Sequence, residues 1–162
     1  MIILGIDPGT ARTGYGVIKS TQDNLTSLDY GCIFTEKSLP APERLKKIAQ
    51  ELRHLIKKHQ PDELAVEDIF FFKNLKTAFK VSQSQGVILL TAAQLKVPVS
   101  EYTPLQVKQA ITGYGRADKT QVQEMVKRLL RLKQPLKPDD VADALAIAIC
   151  HAHSWSLLKK QV

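Results

Sequence analysis

Four acidic residues sit where hydrophobic segments end, and their types and spacing suggest chemistry. Asp7 closes the apolar run Met1-Ile2-Ile3-Leu4-Gly5-Ile6, and Glu67 closes Leu64-Ala65-Val66. Asp140 and Asp143 lie three apart, just after Asp139, in a segment that then runs uncharged to Cys150. A carboxylate emerging from a buried core loses hydration worth roughly several kcal/mol and needs a neutralising partner. Lysine or arginine can serve in a chain of net charge +7, but neither lies within the two acidic strand ends. A bound divalent cation is the sharper expectation.

Residues three apart on a helix project about 60° from each other, so Asp140 and Asp143 can face one point near a helix N-terminus. Val141, Leu145, Ala148, Ile149 and Ala152 form an apolar stripe around the other side. If that stripe packs on a sheet, the pair lies near Asp7 and Glu67. Four carboxylates supply hard oxygen ligands for Mg²⁺ or Mn²⁺, with no softer donor among them. Two such ions about 4 Å apart activate a water and stabilise the leaving oxygen of an in-line displacement, which suits phosphodiester hydrolysis. Asp7, at the end of a central strand, is the natural bridge between them. Singly, each acid reads more readily as structural. Asp139, or a neighbour, serves as the N-cap after Pro138, and Asp7 as a turn residue in Asp-Pro-Gly. The conjunction of four shifts the balance toward catalysis.

The elements that must position these acids are legible. Residues 1–7, a turn over 8–14, a return through Tyr15-Gly16-Val17-Ile18 and a run from Leu25 to Phe34 predict an antiparallel three-stranded meander. Leu45, Ile48, Ala49, Leu52, Leu55 and Ile56 define one face of a helix that opens near Pro42 and stops at Pro61. Short strands are expected at Glu63 to Glu67 and Val97 to Tyr102, with a helix over 74–95 between them. Thr103-Pro104 opens a helix that Gly113 ends, Asp118 caps another, and Pro138-Asp139 begins the last. The sum is an α/β fold, a mixed five-stranded sheet flanked by helices. One domain is expected over residues 1–156, followed by a short tail, 157–162, prone to fray.

A chain of 162 residues, 44% hydrophobic and 24% charged, suits one soluble globular domain. Its 23 Lys and Arg against 16 Asp and Glu favour a polyanionic partner, although a merely basic soluble protein fits equally. Cys32 and Cys150 lack metal-ligand spacing and read as core residues in a reducing compartment. No basic segment precedes the first strand, and no stretch reaches the roughly 18 apolar residues of a membrane span. A cytoplasmic protein is expected.

Taken together, the motifs resemble the RuvC family of Holliday junction resolvases, within the RNase H-like nucleases. Gly5-Ile6-Asp7-Pro8-Gly9-Thr10 with Thr13-Gly14-Tyr15-Gly16-Val17 is similar to the family's first motif. Ala65-Val66-Glu67-Asp68-Ile69-Phe70 with Lys73-Asn74 is similar to the second. Gln106-Val107-Lys108-Gln109, Gly113-Tyr114-Gly115 and Lys119-Thr120-Gln121-Val122 resemble its basic region. The run from Asp140 to Ala148 resembles its last catalytic helix. The resemblance spans most of the chain. It implies an RNase H-like fold and a Mg²⁺-dependent homodimeric endonuclease that makes paired nicks in a four-way DNA junction. It implies catalytic, metal-holding roles for Asp7, Glu67, Asp140 and Asp143, and substrate-binding roles for Lys108 and Lys119. Within the Asp139-Asp140 doublet, spacing to Asp143 favours Asp140. A branch-migration motor of the RuvA and RuvB type is implied only by the family.

Four of the five phenylalanines, Phe70, Phe71, Phe72 and Phe79, lie among Lys73, Lys76 and Lys80. Such rings can stack on or wedge apart bases while lysines hold phosphates. For Phe71, Phe72 and Phe79 the core or a subunit interface is preferred. Phe70 matches a family position that meets DNA, and Lys73 follows it. Arg12 either touches a phosphate or is a solvated turn residue. His151 and His153 read as helix-end caps or surface residues. Ala78, Ser82, Ser84, Gly86 and Thr91 suggest a two-fold helix interface, since small side chains allow close approach and an isologous dimer would carry two identical sites. Competing readings are an actin-like ATPase lobe, a non-catalytic DNA-binding relative and an RNase H-like nuclease acting on RNA.

Overall fold

The computed structural model describes residues 1–22, 24–68 and 75–160, with side chains described outside 75–77 and 156–160. Strands β1 (Ile2–Asp7), β2 (Arg12–Ser20) and β3 (Leu25–Phe34) form the expected antiparallel meander. Helix α1 (Ala41–His59) leads to β4 (Glu63–Glu67), which pairs parallel to β1. Helix α2 (Leu75–Gln94) leads to β5 (Val99–Tyr102), parallel to β4. The sheet order is β3-β2-β1-β4-β5, and α3 (Pro104–Thr112), α4 (Lys119–Leu129) and α5 (Asp139–Lys160) complete the chain. The fifth strand starts two residues later than the sequence suggests, after Pro98, which has no N–H to give a ladder.

Each strand of the centre is buried on both faces, and alternate residues divide between two cores. Leu4, Ile6, Val17, Leu64 and Val66 meet Ile48 and Leu52 of α1 and Ile88 and Ala92 of α2. Ile3, Ile18 and Ala65 meet α3, α4 and, above all, α5. The apolar surface of α5 proves wider than the one stripe expected. Ala142, Ala144, Leu145, Ala146, Ile147, Ala148, Ile149 and Cys150 are all buried. A helix apolar all round belongs inside a protein, and α5 lies between the sheet and the pair α3 and α4.

Three strand glycines let α5 lie almost on the sheet backbone. A Cβ at Gly5 would strike the carbonyl of Ala144 and come within 2.8 Å of the Ala148 nitrogen. One at Gly14 would strike the Asp140 carbonyl, and one at Gly16 would lie 2.6 Å from a methyl of Leu145. Glycine in a strand marks such close approach, and the alanines of α5 are its counterpart. The contact fixes where the first turn of α5 sits, directly beside the end of β1.

Candidate active site

Parallel pairing puts the carboxyl ends of β1 and β4 side by side, so Asp7 and Glu67 leave the sheet at the same edge. Gly14 lies opposite Asp7 and carries the Asp140 backbone against it, which brings the first turn of α5 to that edge. From the other side come two helix starts, each fixed by a capping box: Thr103 with Gln106 for α3, and Asp118 with Gln121 for α4. They carry Lys108 and Lys119. Glu67, Lys108, Lys119 and Asp143 line one cavity of about 210 Å³. A larger cleft of about 390 Å³, between the β2–β3 turn and the ends of α4 and α5, has no carboxylate among its described lining residues. Chemistry selects the smaller one.

The acids share one electrostatic field. Burial raises the Asp7 carboxyl to about 8, reinforced by repulsion from Glu67, Asp143 and Asp140 and only partly relieved by Lys119. Burial and Asp143 raise Glu67 to about 7, against the pull of Lys108 and Lys119. Burial also raises Asp143, despite Lys119. The site is therefore short of positive charge. Protein cations supply part of it: Lys119 Nζ lies 3.2 Å from Asp143 and 3.3 Å from Asp139, and Arg12 Nε lies 3.3 Å from Asp140 Oδ2. That last contact falls outside hydrogen-bond geometry, and Asp140 Oδ2 is buried with no hydrogen-bond partner. Among the described residues, no three His, Cys, Asp or Glu side chains already close around a single point. Even so, the donor set is all oxygen, one buried lone pair is orphaned, and positive charge is lacking, so the residues fit a hard divalent cation.

Several expectations need correction. Asp139 is no N-cap: α5 begins with it, and its carboxylate turns outward to Lys119 and to Gln123 Nε2 at 3.2 Å. Arg12 is not simply a solvated turn residue, because its Nε lies 3.3 Å from Asp140 Oδ2. His151 is neither cap nor surface residue but only 2% exposed. Its Nδ1 lies 2.8 Å from the Tyr102 hydroxyl and its Nε2 3.1 Å from Glu63, and burial lowers its pKa against the pull of Glu63. A neutral ring fits, accepting from Tyr102 and turning Nε2–H toward Glu63. His153 lies 3.1 Å from the carbonyl of Ala110 in α3. The all-round apolar character of α5 was the signal that His151 would be interior.

On α2, Ser84 and Thr91 are buried and donate to their own helix, at Val81 and Val87. The open face instead carries Phe79, Gly86 and Leu90. Phe79 is 67% exposed, so it is not a core ring. Phe70, Phe71, Phe72 and Lys73 lie outside the described residues.

A five-stranded sheet in this order, with acids at the ends of β1 and β4 and on the first turn of the covering helix, defines an RNase H-like nuclease fold. Comparison with known proteins narrows the class. The family model for crossover junction endodeoxyribonuclease RuvC matches residues 3–151. Crossover junction endodeoxyribonuclease RuvC of Desulfitobacterium hafniense is 57% identical over 160 residues, covering 99% of this chain and 97% of its own. That of Desulforamulus reducens is 58% identical over 156 residues, covering 96% and 95%. T. thermophilus RuvC, solved in complex with Holliday junction substrate, matches with TM-score 0.92 at 37% identity, over 97% of this chain and 96% of its own. The yeast mitochondrial Holliday junction resolvase Ydc2, at 15% identity and TM-score 0.73 over 98% and 80% of the two chains, shares the fold. The chain belongs to the RuvC family of crossover junction endodeoxyribonucleases.

Proposed function

We propose that this protein resolves Holliday junctions by cation-dependent hydrolysis, nicking two strands of like polarity and leaving 5′-phosphate and 3′-hydroxyl ends. The observation that carries the reading is the repulsion that Glu67, Asp143 and Asp140 exert on the buried Asp7, with Asp140 Oδ2 itself buried beside Arg12 and lacking a hydrogen bond. These four would hold Mg²⁺ or Mn²⁺, two ions per site, which when bound supply Lewis acidity to the attacking water and the leaving oxygen. The chain's own residues do the positioning. Asp7 stands on the central strand, where both faces are packed and its carboxylate has little freedom. Lys108 and Lys119 line the same cavity and are placed to grip phosphate oxygens. Lys119 is now held by Asp143 and Asp139, and would be free to meet a phosphate once those carboxylates were neutralised otherwise.

A homodimer would present two such sites to strands of like polarity. The exposed Phe79, Gly86 and Leu90 on α2 support that interface, because two large apolar residues flanking a glycine and Gln83 on one face admit a close second helix. The reading keeps one domain and a cytoplasmic location; α5 continues past residue 156 to Lys160, and no described helix is long and apolar enough to cross a membrane. A branch-migration motor as partner rests on the family alone. The test is a synthetic mobile four-way junction incubated with Mg²⁺ or with EDTA. Symmetric paired nicks in Mg²⁺ alone are expected. Equal cutting of plain duplex, or cutting in EDTA, would overturn the reading.

A further inference from the structure

One aromatic side chain near the site stands half in water, at an open cleft that it lines with Lys47, Glu51 and His54 of α1. Phe34 is 55% exposed at the end of edge strand β3, directly opposite Arg12. Alternation along β3 puts Phe34 on the same face as Cys32, two residues earlier, and Cys32 packs on the α5 core. Arg12, directly across from Phe34, lies 3.3 Å from Asp140 through its Nε, so this end of β3 flanks the acidic site. Strands lie about 4.8 Å apart, which puts β3 roughly 10 Å from the β1 strand that ends in Asp7.

The backbone under the ring is fixed. Thr35 is buried, donates its hydroxyl to the Thr10 carbonyl and its N–H to the Ala11 carbonyl at 3.1 Å, and receives Arg44 Nε at 2.9 Å. A large apolar ring half in water on a fixed backbone, with a guanidinium as its cross-strand neighbour, suits a ligand that has both a flat face and a negative charge. A nucleotide has both.

We infer that Phe34 is a positioning residue that stacks on a base of the cleaved strand, flanking the scissile phosphate on the β3 side, with Arg12 facing the adjoining backbone. This rests on the proposed junction-cleaving function. Its occupant is nucleic acid because the cross-strand neighbour of the ring, Arg12, lies against Asp140 at the acidic edge. Stacked bases rise about 3.4 Å each, so the contact falls roughly two to four nucleotides from the cut.

The experiment places 2-aminopurine singly at each of those positions, on either side of the scissile phosphate, in a junction bound by the full chain with Ca²⁺ in place of Mg²⁺. With the unaltered protein, fluorescence at one position is quenched. Phe34→Ala abolishes that quenching and weakens junction binding about 5- to 20-fold, whereas Phe34→Trp restores both. Circular dichroism and thermal melting confirm that the variants fold. Unchanged quenching and affinity in Phe34→Ala would overturn the inference and assign the ring to a protein partner, leaving junction cleavage intact. If the unaltered protein binds no junction at all, it is the proposed function that fails.

Discussion

The two faces of the sheet are both well packed, yet they are built to different tolerances. On one, large aliphatic side chains of β1, β2 and β4 interleave with α1 and α2, whose residues contribute bulk and little else. On the other, Gly5, Gly14 and Gly16 remove their side chains so that α5 lies against the strands nearly backbone to backbone. Side chains can repack around a change of one methylene; two touching backbones cannot. The rigid face is the one that carries carboxylates from a strand and a helix to a common edge. Close contact there sets the position of Asp140 and Asp143 relative to Asp7, and the looser face only holds the sheet in shape.

Chemistry should break before structure at the carboxylates. Asp7→Asn is expected to lower junction cleavage by about 10³-fold or more, since it would remove a carboxylate proposed to hold the cations. The same variant relieves the repulsion from Glu67, Asp143 and Asp140. Its cation-free form should therefore melt a few degrees higher, on the order of 1–2 kcal/mol. Cleavage assays beside calorimetry check both halves, and a lower melting temperature would mean that Asp7 is a structural acid.

Between the faces, Gly5→Ala and Ile48→Val make the sharpest contrast. The first forces a Cβ into the backbone of Ala144 and Ala148 and should cost about 3 kcal/mol, with loss of cation binding as α5 is pushed outward. The second removes one methyl from the other core, at a cost of about 1 kcal/mol, and leaves cleavage unchanged. Equal effects from the two, measured by chemical denaturation and Mn²⁺ titration, would erase the distinction.

Much of this contrast is legible in the sequence, and what is missed has a physical cause. Strand ends, the α1 stripe and the caps at Thr103 and Asp118 follow from local pattern, because hydrophobic period and capping are decided within a few residues. The acids announce themselves at the edges of apolar runs, those at 7 and 67 closing one and those at 140 and 143 opening one. The roles of Arg12, Asp139 and His151 do not, since each depends on a partner distant in the chain: Asp140, Lys119, and Tyr102 with Glu63. Ser84 and Thr91 mislead for a related reason. A small residue on α2 fits an interface or its own interior equally, and only packing against α1 decides.

The acidic edge should also make stability fall as pH rises. Asp7 and Glu67 have folded-state values of about 8 and about 7, against ordinary values of 3.8 and 4.5. Between these limits the folded chain binds more protons than the unfolded one, so the stabilisation is complete below the unfolded values and fades as pH passes through 7 and 8. Without divalent cation, the melting temperature is expected to drop from pH 6 to pH 9, and Asp7→Asn should flatten the slope. Added Mn²⁺ should raise it more at pH 8.5 than at pH 6, because the ion binds the charged carboxylates. A melting temperature that climbs across this range in EDTA would show that the site is not short of positive charge.

The mildest change tests the comparison from the open side. Gly86 lies on α2 with nothing within 4 Å of where a Cβ would stand. Alanine there removes the entropy penalty of a helical glycine and should stabilise the isolated subunit by up to about 1 kcal/mol, the opposite of its effect at Gly5. If the face of Phe79, Gly86 and Leu90 closes on a second subunit, the same methyl meets the partner helix, and the gain should vanish as concentration is raised into the dimer range. Melting curves at several concentrations, beside sedimentation, separate the two. A gain that persists undiminished in a demonstrated dimer would place the two-fold contact elsewhere on the molecule.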